Sequence, residues 1–133
     1  VTSSLSKVMF SSQRLDWKTP AWLYKELDTE FCFTHDPCPA NPQFDGLKEE
    51  WGDVNFVNPP YGRELPKWLK KGHEEHLKGK TVVFLVPSRT DTVWWHTYCM
   101  QATEIRFIKG RLRFDEHKNS APFPSAVIIF KPT

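Results

Sequence analysis

Four consecutive residues, Asn58-Pro59-Pro60-Tyr61, are the part of this sequence best equipped for chemistry. Two successive prolines fix two φ angles and remove two backbone N–H donors. The residue ahead of each proline is pushed toward extended geometry. The result is a stiff turn that offers hydrogen-bond acceptors and withholds donors. The Asn58 side-chain oxygen and the Pro59 carbonyl can converge on one small group, and a planar –NH₂ with two hydrogens matches that pair. Tyr61 adds a flat face for stacking. An aromatic amine needs such help, because its lone pair is delocalised into the ring. Two acceptors holding its hydrogens draw the nitrogen toward tetrahedral geometry and stabilise positive charge as a methyl group arrives. That is positioning and transition-state electrostatics, with no covalent enzyme intermediate. A nucleobase would have to leave its duplex to reach the turn. The other reading of the same tetrapeptide is a rigid strand-to-helix turn with no chemistry.

The elements around the turn place it where an active site belongs in an open α/β sheet, between the carboxyl end of a strand and a helix. Val54 to Val57 reads as the strand before it. The helix after it carries Leu65, Trp68, Leu69 and Leu77 and ends near Gly79. Upstream, Thr19 and Pro20 read as N-cap and first residue of a helix with Trp22, Leu23 and Leu27 on one face. Phe31 to His35 reads as a short strand stopped by Pro37 and Pro39. Thr81 to Val86 is β-branched and continuously apolar, which suits a central strand covered on both faces. A third helix, capped by Thr90 or Asp91, carries Val93, Trp94, Trp95, Tyr98 and Met100. Strand-like runs follow at Glu104 to Ile108, Arg111 to Phe114 and Ala126 to Phe130. Alternating strands and helices predict an α/β fold with a mostly parallel sheet and an antiparallel C-terminal edge.

Length and composition suit one domain over residues 15–133, with 1–14 as a polar, mobile lead-in. A net charge of +2 does not by itself indicate a nucleic-acid partner. The basic residues do cluster, from Lys67 to Lys80 and from Arg106 to Lys118, and both runs could track phosphates or simply face solvent. An odd count of three cysteines points to a reduced, cytoplasmic chain. The longest apolar run, near Val82 to Val86, is far too short for a membrane span.

Several separated blocks, in order, resemble the phage-type DNA N-6-adenine methyltransferases, the Dam-like enzymes of phages and prophages. They are Asp16-Trp17-Lys18-Thr19-Pro20, Asp36-Pro37-Cys38, Asp45-Gly46-Leu47 with Trp51, Asn58-Pro59-Pro60-Tyr61, Pro87 to Thr92 with Trp94-Trp95-His96, Gly110 to Phe114, and Lys118 to Ser125. The resemblance covers Asp16 to Phe130. It implies a shortened Rossmann-like class I methyltransferase fold, S-adenosylmethionine as methyl donor and adenine in DNA as substrate. Asn58, Pro59, Pro60 and Tyr61 match the catalytic motif. Asp36 falls where an acidic residue typically holds the methionine amino group of the cofactor. Thr19 and Pro20 match a segment beside the cofactor, as does Asn58. Arg89, Arg111, Arg113, Lys118 and Asn119 are the DNA-contact expectations. No glycine-rich loop follows the first strand, and only 21 residues separate Asp36 from Asn58. A sheet of five or six strands is therefore expected, with Asp45 or Asp53 as weak candidates for the ribose contact.

Other residues read less sharply. Cys32, His35 and Cys38 have metal-like spacing but no fourth ligand nearby, so a buried strand cysteine is favoured and no metal is expected. His73 and His76 read as a solvated helix face. Trp94, Trp95 and Tyr98 read as a core face. Trp51 suits either the cofactor's flank or a plug over the core, and Arg89 either a contact to phosphate or the cofactor carboxylate or a plain surface residue. Two alternative functions remain open at this level. One is methylation of another planar amine, such as RNA adenine or a protein glutamine. The other is a DNA-binding remnant that has lost its cofactor.

Overall fold

The computed structural model describes residues 17–39, 44–114 and 119–132. The 1–14 lead-in and Lys118 lie outside them. At the centre stands the apolar run, now β2 (Thr81–Pro87). It pairs in parallel with β1 (Val54–Val57), register Val57↔Phe84, and antiparallel with β4 (Ser125–Phe130). β4 in turn pairs antiparallel with β3 (Glu104–Phe107), so the order is β1-β2-β4-β3.

The mostly parallel sheet of five or six strands is thereby corrected to four strands among the described residues, with mainly antiparallel pairing. Among the described residues no helix separates β3 from β4, and parallel neighbours need a crossover connection, usually a helix. The antiparallel C-terminal edge stands as read. The strand expected at Phe31 to His35 reduces to one parallel bridge, His35↔Asn55. Helix α1 (Ala21–Phe31) claims its first residue, Cys32 turns left-handed at φ 56°, and the prolines beyond close the ladder. Arg111 to Phe114 forms no strand either. Its alternation is real, with Leu112 and Phe114 buried, yet it faces the loop at Ala121 and holds it by one backbone bond of 2.7 Å.

Two of the helix caps also differ from expectation. α1 starts after Pro20, with no side-chain cap, so Thr19 does not cap it. Trp22 is exposed while Leu23 and Leu27 are buried. Helix α3 (Val93–Thr97) is capped by Thr92, whose hydroxyl accepts from Trp95 N, rather than by Thr90 or Asp91. A 3₁₀ turn, Cys99–Gln101, completes what the sequence suggests is one longer helix. Helix α2 (Leu65–Leu77) has Pro66 in its first turn, where a missing N–H costs nothing.

Strand alternation sorts the core onto the two sheet faces. Val82, Phe84, Val86, Ile128 and Phe130 meet Leu65, Leu69 and Trp95 of α2 and α3. Val83, Leu85, Val127 and Ile129 meet Leu23 and Leu27 of α1 together with Leu112, Phe114 and Phe123. α2 lies close on β2 because Gly72 lacks a side chain: a Cβ there would come 2.3 Å from the Phe84 ring. One face thus carries helices, while the other carries α1 and a long loop. That loop reaches the edge where Asn58 sits.

Candidate active site

β1 ends at Val57, and the chain passes through Asn58-Pro59-Pro60-Tyr61 before α2 begins. Gly62, at φ 108°, makes the bend that releases the chain into that helix. Asn58 is half-buried. Its amide nitrogen donates to the Trp17 carbonyl at 2.5 Å and to Thr19 Oγ1 at 2.9 Å. Both amide hydrogens are thereby used. Asn58 Oδ1 is buried with no hydrogen-bond partner. Buried acceptors are seldom left alone, and the exceptions call for an explanation such as a ligand. The Trp17 carbonyl can only accept, so the NH₂ end of Asn58 must face it and the oxygen must face the other way.

Tyr61 is 6% exposed. Its hydroxyl donates to the Leu85 carbonyl at 3.3 Å, and burial pushes its pKa upward. The ring meets Phe123 edge-on at 5.6 Å and Phe114 at 6.4 Å. Trp17 touches the same two rings at 5.3 and 5.4 Å. The Arg89 guanidinium lies over Phe123, 5.7 Å from its centroid. Instead of standing open as a stacking face, Tyr61 is one wall of an aromatic cluster beside Asn58. The sequence contained the signal for this cluster in the Phe114 and Phe123 blocks, without indicating that the rings converge.

Asp36 follows the His35 bridge, and its Oδ1 accepts from Cys38 N at 3.0 Å, an Asx turn. Crowding by the surrounding chain raises the carboxyl pKa, against the pull of the Cys38 N–H and of His35. The residue is open to solvent, and screening there limits that rise. Pro37, Cys38 and Pro39 join Phe44, Asp45, Gly46 and Trp68 around a cavity of about 490 Å³. Gly46 is required for the closeness of these walls, since a Cβ would fall 2.0 Å from the Pro37 carbonyl oxygen and 2.7 Å from the Trp68 ring. Phe44 and Trp68 were not legible as site residues; only the Asp45-Gly46 turn signal marked the place. Asp45 lines the cavity while accepting from Leu47 N. Asp53 precedes β1 and so lies at the other end of that strand from Asn58, roughly 16 Å away by strand rise.

Arg89, Arg111, Arg113 and Asn119 are exposed. Parts of the two basic runs are committed inside the protein. Arg106 bonds Glu30 at 2.7 Å and Glu104 at 2.8 Å, which raises its pKa. Lys80 meets Glu75 at 2.6 Å, and Lys71 and Lys78 each meet it at 3.0 Å. Burial opposes the Glu75 charge, but these ammonium groups and the Trp51 N–H hold its pKa down to about 2. Lys71 and Lys78 close on Glu75 along α2 itself, and Lys80, just ahead of β2, ties that helix to the start of the strand, so these lysines cannot all serve phosphates.

The remaining side chains fall mostly in the core. Trp51 plugs it, its Nε1 donating to Gly46 O at 2.7 Å. Trp95 is buried, with Trp94 and Tyr98 packed beside it, in line with a core face. His73 and His76 are half-buried against Phe130 rather than solvated. Cys32 is exposed, not a buried strand cysteine, because it sits at the left-handed end of α1. Burial pushes the Cys99 thiol up to about 12. Among the described residues no three His, Cys, Asp or Glu side chains gather as a metal site. No helix among the described residues is long and apolar enough to cross a membrane.

A mixed sheet with helices packed on it and a donor-poor turn at the carboxyl end of a parallel strand puts that turn where open α/β sheets carry their sites. Residues 6–132 match the DNA N-6-adenine-methyltransferase (Dam) family, and the chain belongs to it. A phage relative, the DNA N-6-adenine-methyltransferase of Haemophilus phage HP1 (strain HP1c1), is 27% identical over 135 residues, spanning 87% of this chain and 78% of that protein.

Proposed function

We propose that this protein transfers the methyl group of S-adenosylmethionine to the exocyclic amino group of adenine in DNA, at the Asn58-Pro59-Pro60-Tyr61 turn. The observation that carries the reading is Asn58 Oδ1, a buried acceptor without a partner beside a turn that removes donors. The strand order, with a parallel bridge and a parallel pair followed by an antiparallel edge, supports a truncated Rossmann-like sheet.

The residues at this edge fit the methyl donor. The cavity of about 490 Å³ lies in the range of small-molecule sites. Phe44 and Trp68 offer apolar walls for a purine, and Asp36 offers a carboxylate for an ammonium group. Thr19, Pro20 and Asn58 border the same edge. When bound, the cofactor supplies an electrophilic methyl group on a sulfonium. Asn58 Oδ1 and the Pro59 carbonyl accept the two hydrogens of the adenine amine, orient it and stabilise the charge it gains. As the new N–C bond forms, the methyl–sulfur bond would break to leave a neutral thioether, and the nitrogen would pass one proton to solvent water. Desolvated acceptors act strongly here, since little water competes for them. A base reaches the turn only after leaving the stack, and the half-buried Trp17 ring, at the rim of the aromatic cluster that holds Tyr61 and Phe123, offers apolar surface in exchange. Arg89, Arg111, Arg113, Lys118 and Asn119 serve the DNA backbone and the loop over the base.

The test is methyl transfer itself. The purified chain and Asn58→Ala are incubated with labelled S-adenosylmethionine and unmethylated DNA, and the digested nucleosides are identified by mass. N6-methylated adenine from the native chain, reduced by orders of magnitude but still measurable in the variant, is the expected result. Cofactor binding without a methylated nucleoside would shift the substrate to another planar amine. Neither binding nor product would leave a DNA-binding remnant.

A further inference from the structure

We infer that Thr19, with the backbone carbonyl of Trp17, is a positioning element that decides which end of the Asn58 amide faces the reacting group; this rests on reading Asn58 as the acceptor of an amino hydrogen. The two ends of a primary amide have nearly the same shape and opposite hydrogen-bonding sense. A half-turn about the last side-chain torsion would swap them at almost no steric cost. With the oxygen inward the site takes an amine. With the nitrogen inward it would repel that amine and suit a ring oxygen instead. The choice of substrate group therefore depends on what lies behind Asn58, not on Asn58 alone.

Behind it lie two oxygens, the Trp17 carbonyl at 2.5 Å and Thr19 Oγ1 at 2.9 Å, both facing Nδ2. Turning the amide over would set Oδ1 against the Trp17 carbonyl, two acceptors in contact with no proton between them. The Thr19 hydroxyl, able to donate or accept, is thereby set to accept, and its own hydrogen stays available. Thr19 is placed for this role by its neighbours. A residue before proline is driven to extended geometry, and Pro20 opens α1, which Leu23 and Leu27 anchor in the core. The Thr19 side chain makes no capping bond to α1. Its hydroxyl reaches across the fold to Asn58 instead.

Thr19→Val keeps the branched shape and removes the hydroxyl, while Thr19→Ser keeps the hydroxyl. Steady-state kinetics of both, with Asn58→Ala and the double variant Thr19→Val/Asn58→Ala, separate positioning from plain structure. The expected result is a fall in kcat on the order of 30- to 100-fold for Thr19→Val, as for a misplaced reacting group, with both KM values within about threefold of native. Thr19→Ser should recover most of that loss, and the double variant should be no slower than Asn58→Ala. A native kcat in Thr19→Val, or additive losses in the double variant, overturns the proposal. So does a rise in cofactor KM alone, which would make Thr19 a cofactor contact. A second readout does not need activity. In the native chain the Asn58 side-chain amide protons should exchange slowly with solvent by NMR, and Thr19→Val should speed that exchange. Equal exchange in both chains overturns the positioning role even if the native chain methylates no DNA, an outcome that would separately remove the functional reading. If Thr19→Val does not fold, Thr19→Ala against Thr19→Ser carries the same comparison.

Discussion

The Tyr61 hydroxyl donates to the Leu85 carbonyl at 3.3 Å, and this bond ties the turn after β1 to the strand beside it. Ring and hydroxyl therefore do different work, and two substitutions separate them. Tyr61→Phe keeps the contacts to Phe114 and Phe123 and loses the bond, so it should cost about 1 kcal/mol in denaturant unfolding. Tyr61→Ala removes a buried ring and should cost about 3–5 kcal/mol. Because burial raises the pKa of the phenol, the activity of the native chain should show no step attributable to tyrosinate below pH 10. A pH–rate profile identical in native and Tyr61→Phe is the expected check.

Glu75 gives acid sensitivity with a definite sign. Its pKa falls from 4.5 to about 2 on folding. The folded chain therefore holds the carboxylate more firmly than the unfolded one does. Stability from this group is complete above about pH 4.5 and is lost as pH falls from there toward 2. Thermal melts across that window should show the loss in the native chain and a flatter profile in Glu75→Gln. At neutral pH that variant should lose about 3 kcal/mol, because Lys80 would be left half-desolvated.

Arginines of the second basic run should behave differently from one another in DNA binding. Arg111 and Arg113 are exposed beside buried Leu112 and Phe114. Replacing both with Ala should reduce the slope of log affinity against log salt by about 2. Arg106→Ala should leave that slope unchanged and lower the melting temperature instead, since Arg106 holds Glu30 on α1 and Glu104 on β3. Equal effects from all three would overturn this division.

Gly46→Ala tests the cavity. The added methyl would strike the Pro37 carbonyl and the Trp68 ring, forcing apart the two loops that form its walls. Isothermal titration with S-adenosylmethionine should show at least a tenfold weaker affinity, about 1.4 kcal/mol. Unchanged affinity would place the methyl donor elsewhere.

Much of this protein was legible in its residue order where the causes are local. The apolar β-branched run at Thr81 became the central strand because a strand covered on both faces tolerates no polar position. The double proline of Asn58-Pro59-Pro60-Tyr61 made a stiff turn after Val57 whatever surrounds it, and the family was readable from separated blocks. Local signals failed where a distant partner decided. Thr19 ahead of Pro20 looks like a helix cap, yet its hydroxyl accepts from Asn58, 39 residues away. Arg111 to Phe114 alternates like a strand, but among the described residues no partner strand lies beside it, and the Arg106 and Lys80 charges are met by Glu30 and Glu75 rather than left for phosphates. Alternation shows which side of a segment is buried. It does not show what buries it, and a hydroxyl or an ammonium group bonds whatever the completed fold brings within 3 Å. The direction of the Asn58 amide belongs to this second class: residue type supplied the acceptor, and only the packing of Trp17 and Thr19 behind it decided where that acceptor points.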